Sequence, residues 1–234
     1  MNNYAALIVG LSSLSFNAEA SWYGGVNLGV NAVNIEKKIT YPLGDPIVTS
    51  QNFDSGYTNF HGQLTAGYDV LLTELLGLSV EGNADLFTGK AEHTIANWFF
   101  SNAVQAEEKL KYGFSVFALP EYHYSKNMYF YAGPGVSRSR FEIQSGNTAG
   151  NVGVTGNYDK WLTGWGLKAG VATLLTPNAE ILLTYQFTQY EKITWTNIEP
   201  LSGELLSGRY KPQVNLFMVG LKVRMPELQK TQEK

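Results

Sequence analysis

Eight stretches of this chain alternate apolar and polar residues with a period of two. That period belongs to a β-strand with one apolar face, and it rules out amphipathic helices over the same residues. In the first run Trp22, Val26, Leu28, Val30 and Ala32 share a face against Tyr23, Asn27 and Asn31. In the second, Phe60, Leu64, Ala66, Tyr68 and Val70 oppose His61, Gln63, Thr65 and Asp69. In the third, Leu76, Leu78, Val80, Ala84 and Leu86 oppose Ser79, Glu81, Asn83 and Asp85. The fourth sets Tyr112, Phe114, Val116, Ala118, Tyr122 and Tyr124 against Ser115, Glu121 and His123, with Phe117 and Leu119 breaking its polar face. The fifth spans Met128 to Arg140, the sixth Trp161 to Thr173, the seventh Ala179 to Tyr190 and the eighth Gln213 to Met225. Runs of about ten to fourteen residues are long for a soluble sheet and suit a tilted strand crossing a membrane.

The links between runs narrow the choice further. Three are tight turns, around Thr73-Glu74, Ser125-Lys126-Asn127 and Thr176-Pro177-Asn178. The other four, Glu36 to Tyr57, Thr88 to Lys109, Phe141 to Lys160 and Glu191 to Lys211, are long and rich in Gly, Asn, Ser, Thr and charge. Strict alternation of short and long links predicts an up-and-down barrel with all its long connections at one end. Mean hydropathy is −0.14, which does not count against a membrane barrel, because alternation hides the apolar half of each strand from an average.

The apolar faces carry almost no charge and end in aromatics. Phe60, Tyr112 and Trp161 stand at the long-link ends; Trp22, Tyr68, Tyr122, Tyr124 and Phe130 stand at the turn ends. Two aromatic bands around an aliphatic waist describe a lipid-facing girdle. A soluble barrel would turn the apolar face inward and the charged face out. A net charge of −3 gives no basic field for nucleic acid, and the chain has no Cys.

Residues Ala5 to Phe16 are mostly apolar, and Ala18-Glu19-Ala20 has the small-x-small form of a signal-peptidase site, although Met1-Asn2-Asn3 lacks a basic residue. The expected organisation is a signal peptide over 1–20, a barrel over 21–225 and a polar tail over 226–234.

With the A-x-A site, Ala132-Gly133-Pro134-Gly135-Val136 and the closing run Phe217-x-Val219-x-Leu221-x-Val223-x-Met225, the chain resembles the small outer-membrane β-barrel proteins of Gram-negative bacteria, of the outer-membrane protein A, X/Ail and opacity-protein types. The resemblance covers Trp22 to Met225. Met225 stands where such chains often end on Phe or Trp. It implies an all-β fold, an eight-stranded antiparallel up-and-down transmembrane β-barrel. It also implies an outer-membrane location, outer-membrane lipid and lipopolysaccharide as surroundings, and handling by the barrel-assembly machinery.

Chemistry is sparse. His61, His93 and His123 have no metal-ligand spacing, and no Ser stands beside a His on an outward face, so no catalytic, metal or cofactor residue is assigned. The inward charges are the one constellation: Glu81, Glu121 and Glu180 with Lys168, Lys222 and Arg224. Glu180 and Arg224 fall near the turn ends of adjacent strands. Eight strands leave a lumen that side chains can fill, so these charges are expected to be a structural network. The expected function is that of a monomeric, non-enzymatic surface protein acting through its external loops, in adhesion, contact with a host or envelope ligand, or envelope integrity. A lipid A-modifying barrel enzyme and a narrow pore are the alternatives. Pro120 and Pro134 each remove a ladder donor inside a strand, which calls for a bulge or distorted pairing across that hairpin.

Overall fold

The computed structural model describes residues 19–42, 48–96, 103–147, 156–198 and 205–225. The last nine residues and residues 1–18 of the expected leader lie outside these, while Glu19 and Ala20 already pair with Leu71 and Val70. Ten strands are present: β1 (Glu19–Pro42), β2 (Val48–Leu71), β3 (Leu76–Phe87), β4 (Ala91–Ala96), β5 (Ala103–Ser125), β6 (Met128–Asn147), β7 (Gly156–Thr176), β8 (Ala179–Tyr190), β9 (Ile193–Ile198) and β10 (Leu205–Arg224). Eight of them form an antiparallel ring in the order β1-β2-β3-β5-β6-β7-β8-β10, closed by β1 on β10. Over the stretch where all eight pair, closure leaves no sheet edge, which is the condition for placing strands in lipid.

The other two strands are continuations. β4 pairs with the upper part of β5 after an interruption at Thr88 to Lys90, and β9 pairs with β10 after Glu191-Lys192. At the first interruption Gly89 has φ +91°, a left-handed conformation open to Gly at little cost. The ring therefore has eight staves, two of them broken once.

The outer surface carries a belt of exposed aliphatic and aromatic side chains. On β1 it runs from Trp22 to Ala32, with Trp22, Val26, Leu28 and Val30 outward. Ten residues rise ~33 Å along a strand, or roughly 25 Å along the barrel axis at the usual tilt, which is the height of a membrane barrel's apolar band. Trp22 packs on Tyr68 with ring centroids 4.9 Å apart, and Tyr112 meets Trp161 edge-on at 5.4 Å. Aromatic pairs thus stand at both ends of the belt.

One expectation needs correction, and another is met in one of its two forms. First, the four long links are mostly strand. β1 and β2 each run 24 residues, and their pairing continues to Pro42↔Val48. Asp54, expected in a loop, is an exposed residue of β2. The cause is a change of solvent. Above the belt the alternation persists but its polarity inverts: Asn34, Glu36 and Lys38 face out while Val33 and Ile35 are buried. The barrel there stands in water and takes the apolar-inside pattern of a soluble one.

Second, of the bulge and the distorted pairing that the two prolines call for, the structure shows distorted pairing. The register from Phe117↔Gly135 to Glu121↔Tyr131 is unbroken, although no ladder pair joins residues 118–120 to 132–134. Pro120 and Pro134 point outward there, and Gly133 lets the Ala118 carbonyl approach to where a Cβ would stand. Register shifts lie on either side: near the turn Tyr124 is unpaired between His123↔Tyr129 and Ser125↔Met128, and higher up one extra residue makes Lys111 and Tyr112 together oppose Arg140. That extra residue reverses the facing of β5, so Leu110 and Glu108 turn inward above it.

Candidate functional site

The lumen is layered. At the turn end sits a charged cluster that includes four of the residues singled out by their inward facing. Arg224 Nη2 lies 2.9 Å from Glu180 Oε1 and 3.4 Å from Asp69 Oδ2. Lys222 Nζ reaches Asp69 at 2.8 Å and Glu180 at 3.7 Å, and lies 4.0 Å from the centroid of the Tyr23 ring. The Tyr129 hydroxyl donates to Glu180 at 2.5 Å and accepts from Lys222 at 3.0 Å. Glu121 faces the same cluster, with His123 Nε2 3.4 Å away. Burying carboxylates is costly unless partners replace their water, and Glu180 has three.

Midway up, Lys168 is the hub. Its ammonium pairs with Glu81 and lies 3.2 Å from Gln63 Oε1 and 3.4 Å from Asn83 Oδ1. Gln63 accepts from Asn27 at 2.8 Å and donates to Asp85 at 2.7 Å. Tyr23 donates to Glu81 at 3.1 Å and shares a bond of 2.8 Å with Ser79. Phe117, Leu119, Tyr129, Tyr131, Ala172 and Leu182 form a small apolar cluster in the same half. The Phe117 ring lies where a Cβ on Gly135 would stand, so the small inward residue makes room for it.

The upper lumen is filled with apolar side chains. Ile35, Leu110, Phe141, Val214, Leu216 and Met218 are buried to 1% exposure or less and belong to one cluster. Over it lies an ion pair with both side chains fully buried, Lys37 and Glu108 at 2.5 Å, with Ser55 donating to Glu108 at 3.0 Å. Burial pushes the Lys37 ammonium down and the Glu108 carboxyl up, each offset by the attraction of the other.

His61 and Asp85 resemble half of a catalytic set, with Nε2 and Oδ1 3.2 Å apart. His61 is wholly buried and packs on Phe87, a member of the upper apolar cluster. Its imidazole is therefore closed to any substrate arriving from the long-hairpin side. His123 sits at the opposite end, stacked on Tyr129 at 5.0 Å. His93 lies on β4, opposite Ala106.

Outside the upper barrel, charges form a lattice across β4 to β7. Lys90 bridges Glu92 at 2.6 Å and Glu107 at 2.8 Å; Lys109 bridges Glu107 at 3.0 Å; Lys111 pairs with Glu142. Arg140 grips Asp159 with two bonds of 2.7 and 2.6 Å. These cations hold the carboxyls of Glu107, Glu142 and Asp159 below their ordinary values.

The six inward charges were readable from alternation alone. Alternation also put Asp69 and Asp85 on the inner face but could not show that they join the network. Lys37 and Glu108 were missed because they lie beyond the belt, and the facing of Glu108 depends on the β5 bulge. The detectable signal was the spaced apolar pairs Val33-x-Ile35 and Phe141-x-Ile143 on the normally polar face.

A closed ring with a lipid-height apolar belt and a polar lower lumen defines an integral outer-membrane barrel. The family described as outer membrane protein beta-barrel domain matches residues 4–224, and the chain belongs to it. Among solved structures, the outer membrane protease OmpT from Escherichia coli is similar at 10% identity and a TM-score of 0.52, covering 91% of this chain and 99% of its own. The outer membrane protein OprG from Pseudomonas aeruginosa is similar at 13% identity and a TM-score of 0.50, covering 89% and 99%. Neisserial surface protein A is similar at 17% identity and a TM-score of 0.41, covering 88% and 99%. At these identities the likeness concerns the fold. No match was found among curated protein sequences.

Proposed function

We propose that this is a non-enzymatic surface protein of the outer membrane whose working part is the half of the barrel above the apolar belt. The carrying observation is the inversion of polarity along each stave: the barrel continues into water, and its upper lumen is closed by Ile35, Leu110, Phe141, Val214 and Leu216. A structure that long, sealed inside and charged outside, suits presentation of a surface to molecules outside the cell. The buried setting of His61 and Asp85 argues against the enzyme reading, and the packed lumen argues against a pore.

Purified protein in planar bilayers is expected to give no large steady conductance, and such a conductance would put the pore reading first. Because the chain has no Cys, single cysteines report orientation cleanly. On intact cells, a membrane-impermeant thiol reagent should label Asp54→Cys and leave Lys126→Cys unlabelled. The reverse pattern would place the long staves in the periplasm and remove the surface reading.

A further inference from the structure

Above the belt the ring divides into two sheets. β2 pairs with β3 no higher than His61↔Phe87, and β7 pairs with β8 no higher than Gly164↔Tyr190. Higher up, among the described residues, β9, β10, β1 and β2 are joined in that order into one leaf, and β4, β5, β6 and β7 into the other. No ladder joins β2 to β4 or β7 to β9. Open edges are excluded from lipid and tolerated in water, and both seams begin at the top of the belt, beside the outward rings of Phe60 and Trp165. Ile35, Val214 and Ile193 of the first leaf and Leu110, Phe141 and Leu162 of the second share one apolar cluster, as between the two sheets of a sandwich.

The two seams are fastened unequally. On the β2–β4 side, Lys37 of β1 pairs with Glu108 of β5 at 2.5 Å, and Ser55 of β2 donates to the same carboxylate at 3.0 Å. The Leu110 amide of β5 donates to the Tyr57 hydroxyl of β2 at 3.0 Å. Lower on that side the Thr88 hydroxyl donates to the Phe60 carbonyl at 2.6 Å, and Asn31 Nδ2 donates to the Thr88 carbonyl at 3.2 Å. On the β7–β9 side the fastening is at the foot. There the Glu191 amide donates to the Thr163 carbonyl at 2.8 Å, and the Glu191 carboxylate accepts from the Thr163 amide at 3.0 Å. Above Glu191, no strand pairing crosses that seam among the described residues.

From this asymmetry we infer that the upper barrel is a clasp. Its two leaves part at the β7–β9 seam and turn about the fastened β2–β4 side, while the ring within the belt stays closed. Opening breaks no ladder, because every strand keeps its partners within its own leaf. What it loses is apolar contact between the leaves and the bonds of Glu191, which is the catch. Such a unit opens at a lower free energy than the barrel as a whole, and the breaks at Thr88 to Lys90 and at Glu191-Lys192 are element ends of the kind that absorb a hinge motion. The open state uncovers a groove lined by Leu162, Phe141 and Ile193. The inference goes beyond the surface-protein reading and does not depend on it, since the leaves lie above the ring whether or not the ring conducts.

The test uses the full chain refolded in detergent, with single cysteines as reporters, since the chain has no thiol of its own. Leu162→Cys and Ile193→Cys report on the β7–β9 seam, Leu110→Cys on the fastened side and Ala172→Cys on the closed ring. All four native residues are 3% exposed or less, so a thiol there reacts only when its surroundings open. Heat-modified migration on gels confirms folding, and the two seam reporters stand in for each other if one does not fold. Under native conditions a water-soluble thiol reagent should label Leu162→Cys and Ile193→Cys at least about tenfold faster than Leu110→Cys and Ala172→Cys, as expected when one unit opens well below the global free energy. Equal rates at the seam and at Ala172→Cys would mean that the upper barrel opens only when the whole protein unfolds, which overturns the clasp. Labelling of Leu110→Cys as fast as Leu162→Cys would overturn the fastened side.

A second arm tests the catch. Adding Glu191→Ala should speed labelling at Leu162→Cys about fivefold, the shift for one lost hydrogen bond, and leave Ala172→Cys unchanged. Glu191→Gln keeps an acceptor for the Thr163 amide and should return the rate to within about twofold of native. No change with Glu191→Ala, or the same change at Ala172→Cys, would overturn Glu191 as the catch. A steady bilayer conductance of the native protein would overturn the surface-protein reading and leave these rates as they are; equal labelling rates would overturn the clasp and leave that reading standing.

Discussion

Replacing Lys168 with Met should destabilise the barrel by about 3–5 kcal/mol, the range for removing one partner of a buried ion pair. Lys168 is 2% exposed and Glu81 is 4% exposed, so the carboxylate left behind has little water to turn to. Gln63 and Asn83 would also lose the ammonium they face. The Tyr23 hydroxyl still donates to Glu81, which favours the lower end of the range. The double variant Lys168→Met/Glu81→Gln should cost clearly less than the sum of its single changes, because the charge and its partner disappear together. Urea unfolding of the protein in lipid vesicles, compared across the four proteins, measures both quantities. A loss for Lys168→Met below about 1 kcal/mol, typical of exposed pairs, would mean that water reaches Glu81 and that the mid-lumen is not closed.

The hub role of Lys168 shows what alternation can and cannot tell. Period two places Lys168 on the inner face of β7 and Glu81 on the inner face of β3, since each lies between outward apolar residues. It cannot show that β3 and β7, which are not neighbours in the ring, bring those two groups into contact across the lumen. Glu180 and Arg224 are different. They sit on adjacent strands near one turn, so sequence position alone makes their approach predictable.

The upper barrel was harder to read because its physics is reversed. Within the belt, outward residues must be apolar, so a strand shows as an apolar face that stops where lipid stops. On β10 that face runs from Val223 to Phe217, and the outward residues then become Asn215, Gln213, Lys211 and Arg209. Read for an apolar outer face, Glu191 to Lys211 is a polar loop. Read for any period-two alternation, its C-terminal part is strand, with Tyr210 inside and Arg209 outside. The β5 bulge removes even that cue for Glu108, because one inserted residue exchanges the two faces.

The same reversal sets the second large effect. Phe141 is fully buried among Leu110, Leu162, Ile193 and Val214 in the part of the lumen that stands in water outside the belt. There, burial of apolar side chains drives folding as in a soluble protein, and deletion of the ring leaves a cavity that the strands held by their ladders collapse into only in part. Phe141→Ala should therefore cost about 3–5 kcal/mol. Leu183→Ala, whose side chain faces outward within the belt at 60% exposure, should cost much less, because its methyl groups leave only lipid contacts. The contrast, read by urea unfolding of both variants in the same vesicles, separates a packed upper core from a loosely filled one. Removing more of the plug, as Leu110→Ala/Phe141→Ala/Val214→Ala, should then raise bilayer conductance above that of the native protein, provided the variant keeps its heat-modified migration. A folded triple variant that still conducts nothing would move the seal down to the Lys168 and Glu81 layer. A loss for Phe141→Ala no larger than that for Leu183→Ala would show that the upper cluster does not hold the staves together.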